Sequence, residues 1–186
     1  MSKLNVPYRS QWDADAGDHN TDCGPTCLAM MLNYLQISMT PDGVYNYDWL
    51  RSKKAHDYTT FTDLARVARA NNLQTTYSYK PTSRQPVQRG AAFQNLFANI
   101  DAGKPMLVLV SYAPWRQITG NQFGGAHFVV VSGYDDANIY IHDPLFGTWV
   151  ARARGAYYTM SHDLFAAGWG GCSATGNTDW AWLTIE

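Results

Sequence analysis

The sequence has few of the features that mark membrane-spanning, secreted or nucleic-acid-binding proteins. Apolar residues occupy 46% of the 186 positions, but runs such as Met106–Val110 are far shorter than the roughly 20 residues of a membrane-spanning helix. The N-terminus carries one lysine, Lys3, and no apolar stretch of signal-peptide length. The formal charge is −1, and the densest basic cluster, Arg51–Lys54, is typical of a solvated helix end. We therefore expect no membrane insertion, no signal peptide and no nucleic acid partner.

Cysteine is also scarce, with three residues at Cys23, Cys27 and Cys172. The count is odd, and the first two lie too close on one predicted helix to bridge each other, so a disulfide framework is not indicated. Their spacing lacks the paired knuckles of zinc sites, and we expect neither a metal nor another cofactor. The length suits a single domain over residues 1–186, without internal repeats, and a monomer is favoured.

Hydrophobic spacing predicts helices in the first half of the chain and strands in the second. The predicted helices are Thr26–Leu35 after Pro25, Thr40–Leu50, Thr62–Asn71, Ala92–Ile100 and a short helix from Ser161 to Gly168. The predicted strands are Met106–Val110, His127–Ser132, Asn138–Asp143 and Trp180–Ile185, with weak alternation over Leu73–Lys80 and a loop at Pro81–Arg89. This order indicates an α+β fold, with an N-terminal helical part packed on a C-terminal antiparallel sheet.

Cys23 is the candidate nucleophile, in the run Asp22-Cys23-Gly24-Pro25. A thiol attacks a carbonyl as its thiolate, and the unpaired N–H groups of a helix N-terminus favour that anion. Gly24 leaves room for a substrate backbone, and Pro25 suits the first turn of a helix. A buried structural cysteine beside a tight turn is the alternative. For Cys27, one turn further along, core packing is the better interpretation.

The candidate general base is His127, which opens a predicted strand after Gly124-Gly125. A hairpin turn centred on Asp135 would pair Val131 with Ile139 and His127 with Asp143, and paired residues share a face of the sheet. The carboxylate would then orient the imidazole, giving a Cys-His-Asp triad. His142 lies on the opposite face of its strand and ranks below His127, while surface positions explain His19, His56 and His162.

A tetrahedral intermediate also needs hydrogen-bond donors for its oxyanion. The backbone N–H of Cys23 is one candidate, and the side-chain amide of Gln11 is the other. A loop glutamine by itself is more often simply solvated, so Gln11 is a candidate only in combination with the other residues.

Four blocks of the sequence resemble the bacteriocin-processing cysteine peptidases, and more closely the stand-alone relatives of these leader peptidases. The blocks occur in the family's order, and they are Val6-Pro7-Tyr8 with Gln11, Asp22–Met30, Ala126–Tyr134 and Asp143-Pro144. The resemblance implies a papain-like fold with Cys23 as nucleophile, His127 as base, Asp143 as orienting carboxylate and Gln11 in the oxyanion hole. The stretch Asp13–Thr21 lengthens the gap between Gln11 and Cys23, so this loop must bulge for Gln11 to reach the hole.

The resemblance predicts a cysteine peptidase that hydrolyses peptide bonds through an acyl-thioester on Cys23. Because some stand-alone relatives are phage lysis proteins, peptidoglycan peptides are the expected substrate within the broader class of peptides, and the location is cytoplasmic or reached by holin-type release. No transporter segment follows, so cleavage after a double-glycine leader is not implied. Two alternatives stay open: an acyltransferase that uses the same triad, and a non-catalytic peptide-binding module.

Overall fold

The computed structural model describes residues 1–16, 19–54, 57–78, 89–147, 151–172 and 179–186. Within these ranges the first part of the chain supplies a short strand, four helices and a second strand. They are β1 (Ser2–Lys3), α1 (Cys23–Tyr34), α2 (Pro41–Val44), α3 (Asp48–Arg51), α4 (Phe61–Ala70) and β2 (Thr75–Ser78). The predicted loop at Pro81–Arg89 lies outside the described residues, except that Arg89 already begins a helix.

The second part of the chain supplies most of the sheet. Its elements are α5 (Arg89–Asp101), β3 (Met106–Ser111), α6 (Arg116–Thr119), β4 (Ala126–Tyr134), β5 (Asn138–His142), β6 (Tyr158–Ser161), α7 (His162–Trp169) and β7 (Trp182–Ile185). Ser161 caps α7 as predicted, because its hydroxyl accepts a hydrogen bond from Leu164 N. The strands β1 and β6 were not predicted from the sequence.

The predicted helix Thr40–Leu50 is wrong, because two short helices occupy this stretch. Thr40 caps the first of them by accepting a hydrogen bond from Gly43 N, and the second begins only at Asp48. Gly43 within the first helix and Tyr45, Asn46 and Tyr47 after it are weak helix formers, so the first helix ends after one turn. Downstream, α4 begins one residue before its predicted start, because Thr60 and Asp63 form a capping box.

The strands form one seven-stranded antiparallel sheet in the order β2-β7-β3-β4-β5-β6, with β1 paired to β4. This confirms the predicted α+β class. Helices cover both faces of the sheet: α1 to α4 pack on one face around Phe128 and Val130, and α5 and α7 pack on the other around Val129 and Val131. Because both faces are covered, β4 reads as a continuous apolar run and not as an alternation.

The predicted register of the β4–β5 hairpin is also wrong. The turn is centred on Asp136-Ala137, since Asp135 N donates to Asn138 O at 2.9 Å, and Tyr134 therefore pairs with Ile139. A bulge between Val131 and Gly133 then shifts the register, so that Val131 pairs with Ile141. The predicted partner of Val131 was Ile139, which is two residues away from the observed partner Ile141.

The bulge decides which side chain of β5 shares a face with His127. Near the turn, odd-numbered residues of β4 pair with even-numbered residues of β5, as Gly133 does with Tyr140. Without the bulge this parity would continue, and His127 would share its face with His142. Because a bulge inserts one extra residue, odd residues pair with odd ones beyond it, and Asp143 comes to the face of His127.

Candidate active site

Cys23 is the first residue of α1 and lies at the edge of the core, with 8% of its surface exposed. The helix starts here because Thr26 N donates to Asp22 O at 2.9 Å and Pro25 occupies the first turn. One turn deeper, the Cys27 thiol donates to Phe128 O at 3.3 Å, which ties α1 to β4. Cys23 thus lies at the N-terminal end of α1, where the first N–H groups have no partner within the helix, and Cys27 packs in the core as predicted.

Gly24 is required by a close approach of the chain segment that precedes α4. A Cβ atom at this position would overlap Thr59 Oγ1 and press on the ring of Phe128. Thr59 is itself buried, with 5% of its surface exposed. The absence of a side chain at Gly24 thus lets this segment pack directly beside Cys23.

His127 is buried at the start of β4, where its Nε2 atom lies 2.8 Å from Asp143 Oδ1. Burial by itself would lower the pKa of His127, but the charge and hydrogen bond of Asp143 and a hydrogen bond with the Cys23 side chain outweigh it and raise the pKa to about 9. Since Nε2 faces the carboxylate, Nδ1 is the ring nitrogen left for Cys23. The imidazole therefore carries a second proton at neutral pH.

Asp143 follows β5 directly and is completely buried. Its Oδ1 atom accepts hydrogen bonds from His127 and, at 2.9 Å, from Leu145 N. Its Oδ2 atom accepts a hydrogen bond from the Tyr112 hydroxyl at 2.7 Å. Both oxygens of this buried side chain therefore have hydrogen-bond partners, as a buried polar group requires.

The sequence analysis did not identify Tyr112, which directly follows β3 and is fully buried. Its ring lies edge-on to that of His127, with the two ring centroids 5.3 Å apart. Its hydroxyl pKa is raised by burial and by the charge of Asp143, so this group stays a hydrogen-bond donor. The pairing of Val110 with His127 places the end of β3 beside the imidazole. A tyrosine just past the strand next to the candidate base is the signal that could have found it.

Gln11 is buried beside the same site, and His19, from the segment that separates it from Cys23, packs against it. Its backbone N–H donates to Pro144 O at 2.8 Å, and its side-chain amide donates to His19 O. A ring nitrogen of His19 in turn lies 2.7 Å from Gln11 O. His19 thus packs against the site and is not simply a surface residue. Gln11 Oε1 is buried without a hydrogen-bond partner among the described residues.

Two cavities meet at Cys23. An apolar cavity of about 320 Å³ is lined by Cys23, Tyr58, Thr59, Thr60, Phe61, Leu109, Phe123, Gly125, Ala126 and Phe128. A more polar cavity of about 390 Å³ is lined by Gln11, Trp12, Asn20, Cys23, Tyr58, Gln122, Phe123, Ala126, His127 and Leu145. Cys23, His127 and Gln11 therefore all line one space. A nucleophile, a proton donor and an oxyanion donor can act there on a single carbonyl.

Two further histidines, His142 and His162, lie away from this arrangement. His142 points to the opposite face, and burial lowers its pKa to about 4. A ring nitrogen of His162 lies 3.0 Å from Asp135 O, at the far end of the β4–β5 hairpin. His56 lies outside the described residues. Among the described residues, no group of three His, Cys, Asp or Glu side chains is placed to hold a metal, and no helix is long and apolar enough to cross a membrane.

Comparisons with known proteins point to one family. Residues 3–169 match the family described as "Peptidase_C39 like family", whereas no curated protein matches the sequence. A crystal structure described as a C39-like peptidase from Bacillus anthracis is similar over 100% of this chain and 98% of its own, with 18% identity and a TM-score of 0.60.

Two further solved structures are similar over the whole chain. One is a double glycine motif protease from an AMS/PCAT transporter in complex with the leader peptide, with 17% identity, 94% of its chain covered and a TM-score of 0.56. The other is the peptidase domain of Streptococcus ComA, a bifunctional ABC transporter of a quorum sensing pathway, with 19% identity, 97% covered and a TM-score of 0.53. At these identities the likeness concerns the fold, and it agrees with the predicted papain-like architecture.

Proposed function

Because the chain belongs to the Peptidase_C39-like family and is a cysteine peptidase, we propose that it cleaves peptide bonds with a triad of Cys23, His127 and Asp143. The observation that carries the proposal is the buried 2.8 Å contact between His127 Nε2 and Asp143 Oδ1 beside Cys23 at the N-terminus of α1. In these roles Cys23 is the nucleophile, His127 transfers protons, and Asp143 orients the imidazolium.

The reaction begins from a thiolate–imidazolium pair. In this pair the imidazole holds a second proton, in line with the raised pKa of His127, and Cys23 supplies the nucleophilic sulfur. The Cys23 sulfur adds to the carbonyl carbon, and the tetrahedral intermediate collapses as His127 passes its proton to the departing amine nitrogen. The acyl group is then held as a thioester on Cys23.

Hydrolysis of the thioester reuses the same histidine. Neutral His127 takes a proton from a water molecule, whose oxygen adds to the thioester carbonyl. Collapse of the second tetrahedral intermediate releases the carboxylic acid and returns the thiolate and the imidazolium. The negative charge of Asp143 stabilises the imidazolium that forms in each cycle.

The oxyanion of both intermediates is assigned to two donors, the backbone N–H of Cys23 and the side-chain amide of Gln11. One N–H of this amide is directed to His19 O, and an amide nitrogen carries two. The second N–H can therefore point into the cavity that Gln11 shares with Cys23 and His127. Preorganised donors of this kind stabilise charge where it develops.

The substrate in this proposal is a peptide, and the peptidoglycan peptides suggested by the resemblance are one candidate class. The structurally similar double glycine motif protease is in complex with a leader peptide, which supports a peptide as ligand. Transfer of the acyl group to an amine in place of water uses the same thioester and differs only in the second step.

The test incubates the purified chain and its Cys23→Ala variant with a mixed peptide library and with peptidoglycan sacculi, and new termini are identified by mass spectrometry. We expect cleavage by the unsubstituted chain, and loss of cleavage in the variant at an unchanged thermal midpoint. Cleavage that survives Cys23→Ala would overturn the triad. Release from the library without release from sacculi would exclude peptidoglycan, and products joined to an added amine would identify acyl transfer.

A further inference from the structure

The apolar cavity beside Cys23 has a floor built from the sheet. Leu109 on β3 and Phe128 on β4 are direct cross-strand partners on the face that α1 covers. Phe61, at the start of α4, stands edge-on to Phe128 with ring centroids 5.1 Å apart. These three side chains form a rigid apolar surface, because each is buried and part of the same core.

Apart from the proposed pair of Cys23 and His127, the cavities are lined by uncharged residues. None of the described residues that line them is Asp, Glu, Lys or Arg. A charged substrate side chain would lose its hydration in the apolar cavity without gaining an ion pair, which costs free energy. Burial of an apolar side chain in this cavity is favourable.

The position of His127 gives the substrate a direction. His127 lines the more polar cavity but not the apolar one, whereas Cys23 lines both. The leaving amine takes its proton from His127, so this half of the substrate lies in the more polar cavity. The acyl half, N-terminal to the cleaved bond, then extends from Cys23 toward the apolar cavity.

We propose that the apolar cavity binds one side chain of the acyl half, within two residues of the cleaved bond, and selects a large apolar residue there. This inference rests on the proposed function and names its substrate class: peptides with leucine, phenylalanine or a similar residue before the cleaved bond. A volume of about 320 Å³ is at the lower end of small-ligand pockets. Glycine would leave it unfilled, so double-glycine peptides fit this chain poorly.

Two exposed aromatic residues extend the apolar surface at the rim. Tyr58 is 64% exposed and Phe123 is 36% exposed, and both line the two cavities. Exposed aromatic rings at the mouth of a cavity gain burial when a substrate lies across them. The rim therefore adds to the preference for an apolar residue and can be altered without disturbing the core.

The experiment measures kcat/KM for fluorogenic peptides in which each of the two residues before the cleaved bond is varied in turn. At one of these positions, leucine or phenylalanine should exceed glycine and aspartate by about 10- to 100-fold, the ratio expected for burial of one large apolar side chain. A flat profile at both positions, or a preference for glycine, would overturn the inference.

Variants assign the preference to the cavity. Leu109→Ala enlarges the floor and should raise the ratio of tryptophan to leucine peptides about tenfold. Tyr58→Ser at the exposed rim should lower the ratio of apolar to glycine peptides several-fold without a folding cost. The matched control is Ile118→Ala, a large side chain that is 42% exposed and lines neither cavity.

The outcomes separate this inference from the proposed function. If cleavage requires Cys23 and the preference is absent or unchanged in both variants, the role of the cavity is refuted and the triad stands. If Leu109→Ala lowers the thermal midpoint too far for assay, Tyr58→Ser decides alone. If no peptide is cleaved by the unsubstituted chain, the proposed function fails and the inference with it.

Discussion

The charge of Asp143 can be removed without changing its shape, which makes Asp143→Asn the most informative substitution. The substituted amide can keep its three contacts, because its oxygen can accept from His127 and Leu145 while its NH₂ group donates to the Tyr112 hydroxyl, which then accepts instead of donating. The negative charge is lost, and one hydrogen bond is reversed. The variant therefore separates the electrostatic role of Asp143 from its role in packing.

The expected size follows from the pKa of His127. Burial lowers this pKa and the charge of Asp143 is the largest effect that raises it, so without the charge it should fall from about 9 to the ordinary value of 6.5 or below. A change of this size corresponds to about 3 kcal/mol, or a factor of roughly 300, in the balance between imidazolium and imidazole. At pH 7.5 most of the thiolate–imidazolium pair should be lost.

The assay is the pH profile of kcat/KM between pH 5 and 10, together with the rate of Cys23 alkylation by iodoacetamide, followed by mass spectrometry of the peptide that carries it. The unsubstituted chain should lose activity above about pH 9, as His127 releases its proton. Asp143→Asn should reduce kcat/KM at pH 7.5 about 10-fold or more and move the alkaline limb to lower pH.

The matched control is Asp101→Asn. Asp101 also accepts a hydrogen bond from a tyrosine hydroxyl, that of Tyr134 at 2.8 Å, but it lies toward the other end of β4 from His127. This control should leave the pH profile unchanged. If Asp143→Asn instead keeps an alkaline limb near pH 9 and loses less than about threefold in kcat/KM, the charge of Asp143 does not hold the proton on His127.

Three further predictions concern stability. Because the pKa of His127 in the folded state lies above 6.5, its contribution to the free energy of unfolding is fully present below pH 6.5 and is lost as the pH rises through about 9. The stability advantage over His127→Gln should therefore shrink by about 1.4 kcal/mol per pH unit in this window. A difference in thermal midpoint that stays constant with pH would contradict this prediction. Tyr112→Phe leaves Asp143 Oδ2 without its described donor, so the midpoint should fall by roughly 3–12 °C, and an unchanged midpoint would argue against this hydrogen bond. Thr60→Ala removes the cap of α4 and should cost about 1 kcal/mol, or 2–4 °C, whereas the exposed Thr62→Ala serves as the control and should have little effect.

Several features of this protein were predictable from short stretches of its sequence. The first turn of α1 is favoured by Pro25, and the cap of α7 depends on Ser161, so each is determined within one helical turn. The strands β3 and β4 follow from runs of branched apolar residues. Local sequence thus determined the α+β order and nominated Cys23, His127, Asp143 and Gln11 as candidates, whose catalytic roles remain proposals.

Contacts between distant elements were decided only by the tertiary structure. The bulge between Val131 and Gly133 sets the parity that brings Asp143 to His127; the predicted hairpin reached the same face from a different register. Tyr112 and Asp143, which share a hydrogen bond, are 31 positions apart in the sequence. The apolar cavity needs Leu109, Phe128 and the segment before α4 together. A turn or a cap is encoded by its own residues, but register and packing depend on which surfaces meet, and no short stretch of sequence contains both sides of such a contact.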